Sequence, residues 1–276
     1  MLEINLAMLF ISTSGVLGRY ISLDPKVTIA IRALLAVFFL GGYILIKKKS
    51  FLLYTRDRWS IALAGLLLGA HWIFYFYALQ LSNVAIGMLS IFTYPAITAL
   101  LEPLLLKTKF QKIHILLAIL VLVGLYFLTP AIDLKNDTTL AILFGLISAL
   151  CYALRNLIMK TKVQQYSGAV LMWYQIVVIA LCLSPLVFWE SKAVIIEQFP
   201  ALVALALFTT TIGHTLFLSS FRHFSVTTAS LISSIQPVYG ILLGMLFLDE
   251  IPAAATLIGG VLILCSVLIE SKRSLR

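Results

Sequence analysis

Residues 82–107 read SNVAIGMLSIFTYPAITALLEPLLLK, and this stretch decides the fold. It is long enough to cross a hydrocarbon core, which takes roughly 20 apolar residues in a helix. Within that length Ser90, Tyr94, Thr98 and Glu102 recur every fourth residue, so one polar stripe runs along the helix and drifts slowly around it. Lipid cannot satisfy such a stripe, so it is expected to face a protein cavity. Pro95 removes a backbone donor near the middle of the span. A break of that kind is tolerated where neighbours or water meet the freed carbonyl, and it marks Pro95 as a hinge candidate. Glu102 is the only acidic residue deep in any apolar segment.

The same texture extends over the whole chain. Of the 276 residues 62% are hydrophobic and 11% charged, against about a quarter charged in soluble domains. Ten apolar segments can be drawn: 4–22, 26–46, 59–80, 84–106, 113–129, 139–160, 168–189, 199–220, 224–248 and 252–270. The expected fold is therefore an all-α polytopic membrane protein with ten transmembrane helices. The runs are apolar over helix length rather than alternating, which excludes a β-barrel. The opening MLEIN has neither a basic region nor a cleavage site, so the first segment is expected to stay as a helix. Cys151, Cys182 and Cys265 lack metal-ligand spacing and read as small packing residues; neither a metal nor a cofactor is expected.

A net charge of +9 would suit nucleic acid if it were clustered, but it follows topology instead. With the N-terminus cytoplasmic, the loops on that side hold Lys47, Lys48, Lys49, Arg56, Arg58, Lys107, Lys109, Lys112, Lys160, Lys162, Arg222, Lys272, Arg273 and Arg276. The opposite loops hold only Lys26, Lys135 and Lys192. That bias places both termini in the cytoplasm of a multi-pass protein of the cell membrane, whose partners are lipid and a small-molecule solute rather than nucleic acid.

The chain also matches itself. ISTSGVLGRY at 11–20 aligns on ISALCYALRN at 147–156 with a shift of 136, pairing Ser12 and Arg19 with Ser148 and Arg155. Residues 84–106 align on 226–248 with a shift of 142, pairing Pro95 with Pro237, a second hinge candidate. Two halves are expected, 1–130 and 137–276. Five segments per half is an odd number, so the second half enters the membrane inverted. Gly65-x-x-x-Gly69 and Gly240-x-x-x-Gly244 let helix backbones approach, as ordinary packing within one subunit or as a dimer seam.

With these features the chain resembles the EamA-type transporters of the drug/metabolite transporter superfamily, over essentially its full length. The resemblance rests on ten helices in two inverted halves, Arg32 in VTIAIRALLAVFF, Pro95 and Pro237, and Asp249-Glu250 ahead of Pro252. It implies movement of amino acids, other metabolites or drugs. One departure stands out: Lys107 occupies the position matching Asp249, and the acid moves inward to Glu102.

Charges inside a bilayer cost about 2.5–3.5 kcal/mol each on insertion scales, so Arg19, Arg32, Arg155 and Glu102 each need a reason. Arg19 and Arg155 sit near segment ends, and Arg32 lies roughly 9 Å inside its boundary, so all three can snorkel to the headgroups or serve a cavity. Glu102 is short; a structural salt bridge, with Arg155 as partner, stands beside a substrate or proton role. His71 and Tyr75 share a face at i, i+4. His71 reads either as a hydrogen-bonded packing residue or as a coupling group. Trp72, Tyr75 and Tyr94 lie mid-segment, where a wall that stacks on an organic solute is one use and interfacial anchoring another. Ser90, His214, Ser233 and Gln236 complete the expected substrate-binding set; Trp72 aligns on His214 by the shift of 142.

The function expected is secondary transport of small organic metabolites, amino acids or similar solutes, in the export direction and by alternating access. The chain lacks a G-x-x-x-x-G-K-[ST] loop for ATP, and H-E-x-x-H or paired-carboxylate patterns for an intramembrane enzyme. An intramembrane enzyme and a channel-like facilitator are the alternatives, the latter without a filter-like repeat.

Overall fold

A computed structural model describes residues 2–107, 112–128 and 135–274, and every regular element among them is helical. The order is α1 (Leu2–Tyr20), α2 (Pro25–Ile46), α3 (Arg58–Leu81), α4 (Val84–Ile91), α5 (Tyr94–Leu106), α6 (Ile113–Leu128), α7 (Asp137–Lys162) and α8 (Gly168–Leu183). Then come α9 (Lys192–Ala204), a π-helical stretch Leu205–His214, α10 (Thr215–Ser220), α11 (Val226–Ile232), a 3-10 turn Ser233–Ile235, α12 (Gln236–Leu248) and α13 (Ala254–Ser274). Residue 129 of the fifth expected segment, the half boundaries at 130 and 276, and Lys109 and Arg276 lie outside the described residues.

Local chemistry sets several helix starts. Asp24 accepts from the Lys26 amide at 2.7 Å ahead of Pro25, Asn83 from Ile86 at 2.9 Å, and Asn136 from Thr138 at 2.8 Å. These are N-cap bonds that meet amides with no partner inside their helix.

Among the described residues seven helical stretches are long and apolar enough to cross a membrane, and two shorter apolar helices lie at 115–128 and 254–265. The molecule is thus an all-helical, multi-pass membrane protein. Helix α1 is not one of the seven; it carries Glu3, Ser12, Thr13, Ser14 and Arg19 over 19 residues.

Four expected segments are not single α-helices, the seventh because α8 stops at Leu183 and a 3-10 stretch, Ser184–Trp189, follows. The fourth breaks at Phe92-Thr93, and Pro95 enters the first turn of α5, where its missing donor was unpaired anyway. The ninth breaks at Ser233–Ile235, and Pro237 sits in the first turn of α12. The prolines therefore begin second helices instead of kinking one. In both, a hydroxyl meets a freed carbonyl: Thr93 Oγ1 donates to Ser90 O at 2.9 Å, and Ser233 Oγ to Ser230 O at 2.6 Å. The two second helices also end alike, with Lys107 and Asp249 both at φ 55°, in the left-handed region. The eighth segment starts earlier than expected, at Lys192, and widens to a π-helix, where Thr211 donates to Ala206 O five residues back at 2.9 Å. Threonine hydroxyls that compete for backbone carbonyls favour such a departure from the α ladder.

In the core, α3 packs on α7 and α8, α1 on the π-helical stretch and α12, and α2 on α8, while α6 and α13 pair with each other at the periphery. Small residues allow the closest approaches. Gly65 abuts the Gln175 backbone of α8, and Gly240 and Gly244 receive Met88 and Val84 of α4, so both small-residue motifs serve packing within one chain. The outer surface carries large apolar side chains such as Phe38, Leu122, Tyr126 and Val261, as a lipid-facing coat requires. Cys182 and Cys265 lie exposed rather than packed, and all three cysteines are free thiols.

Candidate functional site

The polar stripe turns inward as expected: Ser90, Tyr94 and Thr98 are fully buried and Glu102 half-buried. Beside it lies a cavity of about 30 Å³ among buried side chains, room for one or two waters. Helices α1, α2 and α3 contribute Ile11, Ser14, Arg32, His71, Trp72 and Tyr75. The first proline break contributes Met88, Ile91, Phe92 and Tyr94, while Tyr152, His214 and Gln236 come from α7, the π-helical stretch and the second break.

One wall is aromatic. Tyr152 stacks on His71 with centroids 4.2 Å apart, His71 stacks on Tyr75 at 6.3 Å, and Tyr94 meets Tyr152 edge-on at 4.9 Å. The Tyr94 hydroxyl is hydrogen-bonded to Ser233 Oγ, which joins the two breaks directly. His71 is fixed through Ser148: its Nδ1 lies 3.2 Å from the Ser148 carbonyl, and the Ser148 hydroxyl donates back to the His71 carbonyl at 2.7 Å.

The opposite wall is cationic. Arg32 is completely buried and lies 3.8 Å over the Trp72 ring, a cation–π contact. Its Nε donates to Thr210 Oγ1 at 2.5 Å and its Nη2 to Thr209 Oγ1 at 3.0 Å, while Nη1 meets no acceptor among the described residues. Trp72 Nε1 donates to His214 Nε2 at 3.3 Å. A neutral imidazole that accepts at Nε2 carries its proton on Nδ1, and that Nδ1 is also without a partner among the described residues.

Of the substrate-binding residues expected from sequence, Trp72, Tyr75, Tyr94, His214 and Gln236 line the cavity, and so do Arg32 and His71 of the charged set. Ser90 and Ser233 do not. Ser90 donates to Gly87 O at 3.0 Å and presses on Gly145, where α4 crosses α7, and Ser233 reaches the site only through Tyr94. Arg155 does not snorkel and does not pair with Glu102. It is fully buried, donating to Gln175 Oε1 at 2.7 Å, Asn156 Oδ1 at 2.9 Å and the Met172 sulfur at 3.4 Å. Glu102 accepts instead from Thr227 Oγ1, because α5 beyond the break packs against α11. Arg19 is surface-exposed and forms an ion pair with Glu250 Oε1 at 2.9 Å; Glu250 Oε2 accepts from the Val84 amide at 2.7 Å. Tyr152, Ser14, Met88 and Phe92 line the cavity without having been expected there, and Tyr152 completes the aromatic wall. The signal for Tyr152 was present, since it stands in the very stretch used for the repeat alignment, four positions after Ser148 and three before Arg155.

Comparison with known proteins bears on the fold and the family. A curated relative from Clostridium kluyveri, described as an uncharacterized transporter, is 24% identical over an alignment spanning 97% of this chain and 91% of its own length. Another uncharacterized transporter, from Archaeoglobus fulgidus, is 27% identical over 197 residues, covering 71% of this chain and 70% of the relative. A solved structure titled only as the crystal structure of a protein superposes with a TM-score of 0.75 at 19% identity, covering 100% of this chain and 97% of that one, and so shares the fold. The model of the EamA-like transporter family matches twice, over residues 1–129 and 139–271. Polytopic helices around one small polar cavity, matched along nearly the whole sequence, place this chain in the EamA-like transporter family, as a membrane transporter.

Proposed function

We propose that the chain is a secondary transporter that moves small organic metabolites across the cell membrane by alternating access, exporting them from the cytoplasm where both termini lie. The observation that carries this reading is the cavity itself. It lies among buried side chains, sets a guanidinium and imidazoles beside aromatic rings, and is walled by the two proline breaks, whose tips meet at the Tyr94–Ser233 bond.

The same reading takes the chain as ten helices in two inverted halves, 1–130 and 137–276. Four features support it. The family model matches once in each half, the breaks at Pro95 and Pro237 correspond, the left-handed ends at Lys107 and Asp249 correspond, and Trp72 touches the residue it aligns with, His214. Inverted repeats with broken helices permit a site to open to one side and then the other by rocking. On this topology the Arg19–Glu250 pair, which ties α1 to the end of α12 and the start of α4, holds the outer end shut. The pair of Lys162 Nζ with Asp57 Oδ1 at 2.7 Å does the same between α7 and the start of α3 inside. Of the charged set, Glu102 serves as the coupling candidate, since it is a half-buried acid with only a threonine hydroxyl donating to it among the described residues.

Solute counterflow in liposomes tests the reading. Efflux of a labelled solute that saturates with concentration and is trans-stimulated is expected. Electrical conduction without saturation would replace the transporter with a channel-like facilitator.

A further inference from the structure

The walls of the cavity carry an imbalance that narrows the solute. Arg32 is completely buried, its Nε and Nη2 are taken by two neutral hydroxyls, and its Nη1 has no acceptor among the described residues. His214 Nδ1, which carries that ring's proton, is likewise unmet. Both groups belong to side chains that line the cavity, and both flank Trp72, one over its face and one at its Nε1. Among the described residues no carboxylate lines the cavity. A second wholly buried cation, Arg155, is close enough to interact electrostatically with the wall residue Tyr152. The Tyr75 hydroxyl, on the same lining, is also unmet among the described residues, so three groups that can donate, one of them charged, stand together with no counter-charge on the described lining; an anionic acceptor suits them, because a buried charge stays costly until it is paired.

We propose that the cavity seats the carboxylate of a small organic acid, held by Arg32 Nη1 and His214 Nδ1, with the acid's apolar or aromatic body against Tyr75, Tyr94 and Tyr152. This rests on the transport reading above and deepens it. A carboxylate has lone pairs for both donors and gains most from the charged one. A phosphate dianion is the poorer fit, since only one guanidinium nitrogen is free and the other two are already engaged. A zwitterionic amino acid is also the poorer fit. Its ammonium would need acceptors beside two buried guanidiniums, and the wall offers only hydroxyls and the Gln236 amide. At about 30 Å³ the cavity admits an acid only after widening. The wall best able to yield is Met88 at the first break, whose flexible thioether abuts Gly240 behind the second.

The test uses purified wild-type protein, with thermal shift as the binding readout at matched ionic strength. Butyrate, benzoate and 3-phenylpropionate are compared with 3-phenylpropionamide, L-phenylalanine and inorganic phosphate. At least one acid is expected to raise the melting temperature, with the amide, the amino acid and phosphate weaker by roughly tenfold or more in apparent affinity. In Arg32→Gln the preference for acid over amide is expected to vanish; if that variant does not fold, the wild-type ranking decides alone. Amide or phenylalanine binding as tightly as its matching acid, or no shift with any acid, overturns the proposal. Counterflow separates the two readings. Phenylalanine flux without acid flux overturns the carboxylate seat and leaves transport standing, whereas acid binding with no flux of any solute supports the seat and sinks transport.

Discussion

Arg32 and Arg155 make the most informative comparison in the molecule. Both guanidiniums are completely buried within apolar helices, and neither forms an ion pair among the described residues. Their surroundings differ. Arg155 is enclosed by Gln175, Asn156 and Met172, each meeting a different nitrogen, and lines no part of the cavity. Arg32 is held at two nitrogens and left open at the third, facing the cavity beside Trp72. A guanidinium with an acceptor at every nitrogen ties α7 to α8 through side chains, whereas one with a nitrogen left over keeps bonding capacity for a ligand. Burial alone does not tell the two apart; the count of acceptors does.

The largest expected effect falls on the enclosed arginine. Arg155→Met leaves Gln175 Oε1 and Asn156 Oδ1 without their charged donor in a buried setting, and each buried acceptor left unmet costs about 1–3 kcal/mol. A steep fall in melting temperature and in folded yield is expected, seen in detergent by thermal melting and size-exclusion chromatography. A variant that melts like wild type would erase the distinction drawn here.

Arg32→Gln should behave differently. Thr209 Oγ1 also donates to the Leu205 carbonyl, and Thr210 Oγ1 reaches the same carbonyl at 3.4 Å, so neither hydroxyl loses its own acceptor when the guanidinium goes. The stability change is expected to stay on the order of 1 kcal/mol, while solute flux in liposomes falls to background. Loss of fold with no selective loss of flux would make Arg32 another packing arginine.

How much of this was written in the sequence follows from which contacts depend on one helix alone. The stripe of Ser90, Tyr94 and Thr98 and the His71–Tyr75 face are periodicities within single segments, and both are seen in the structure, whereas Pro95 and Pro237 open the helices α5 and α12. What a single segment cannot encode is rotation against its neighbours. Arg155 finds Gln175 on α8 rather than Glu102, Ser90 turns to Gly145, and Tyr152 enters the wall because α7 presents that side to α3. The π-helical stretch was equally hidden, since three consecutive threonines at 209–211 announce polarity but not which carbonyls their hydroxyls will take.

The smallest expected effect sharpens the comparison from the side. Trp72→Phe keeps a ring under the Arg32 guanidinium but removes the donor to His214 Nε2, at about 1 kcal/mol. With that donor gone, the imidazole can move its proton to Nε2. Weaker binding of acids with little change in melting temperature is therefore expected by titration calorimetry. Unchanged affinity would assign the seat to Arg32 alone.

The contact between Trp72 and His214 has a meaning of another kind. On the proposed duplication these two are the same position in each half, and two equivalent positions touch only on the axis that relates the halves. In an ancestor with identical halves, one side chain would have met its own copy there, and a mirrored pair of indoles, or of imidazoles, offers no fixed sense of direction. On that proposal, a donor on one side and an acceptor on the other give the centre of the molecule a direction, and a solute lying across the axis would meet unlike groups at its two ends.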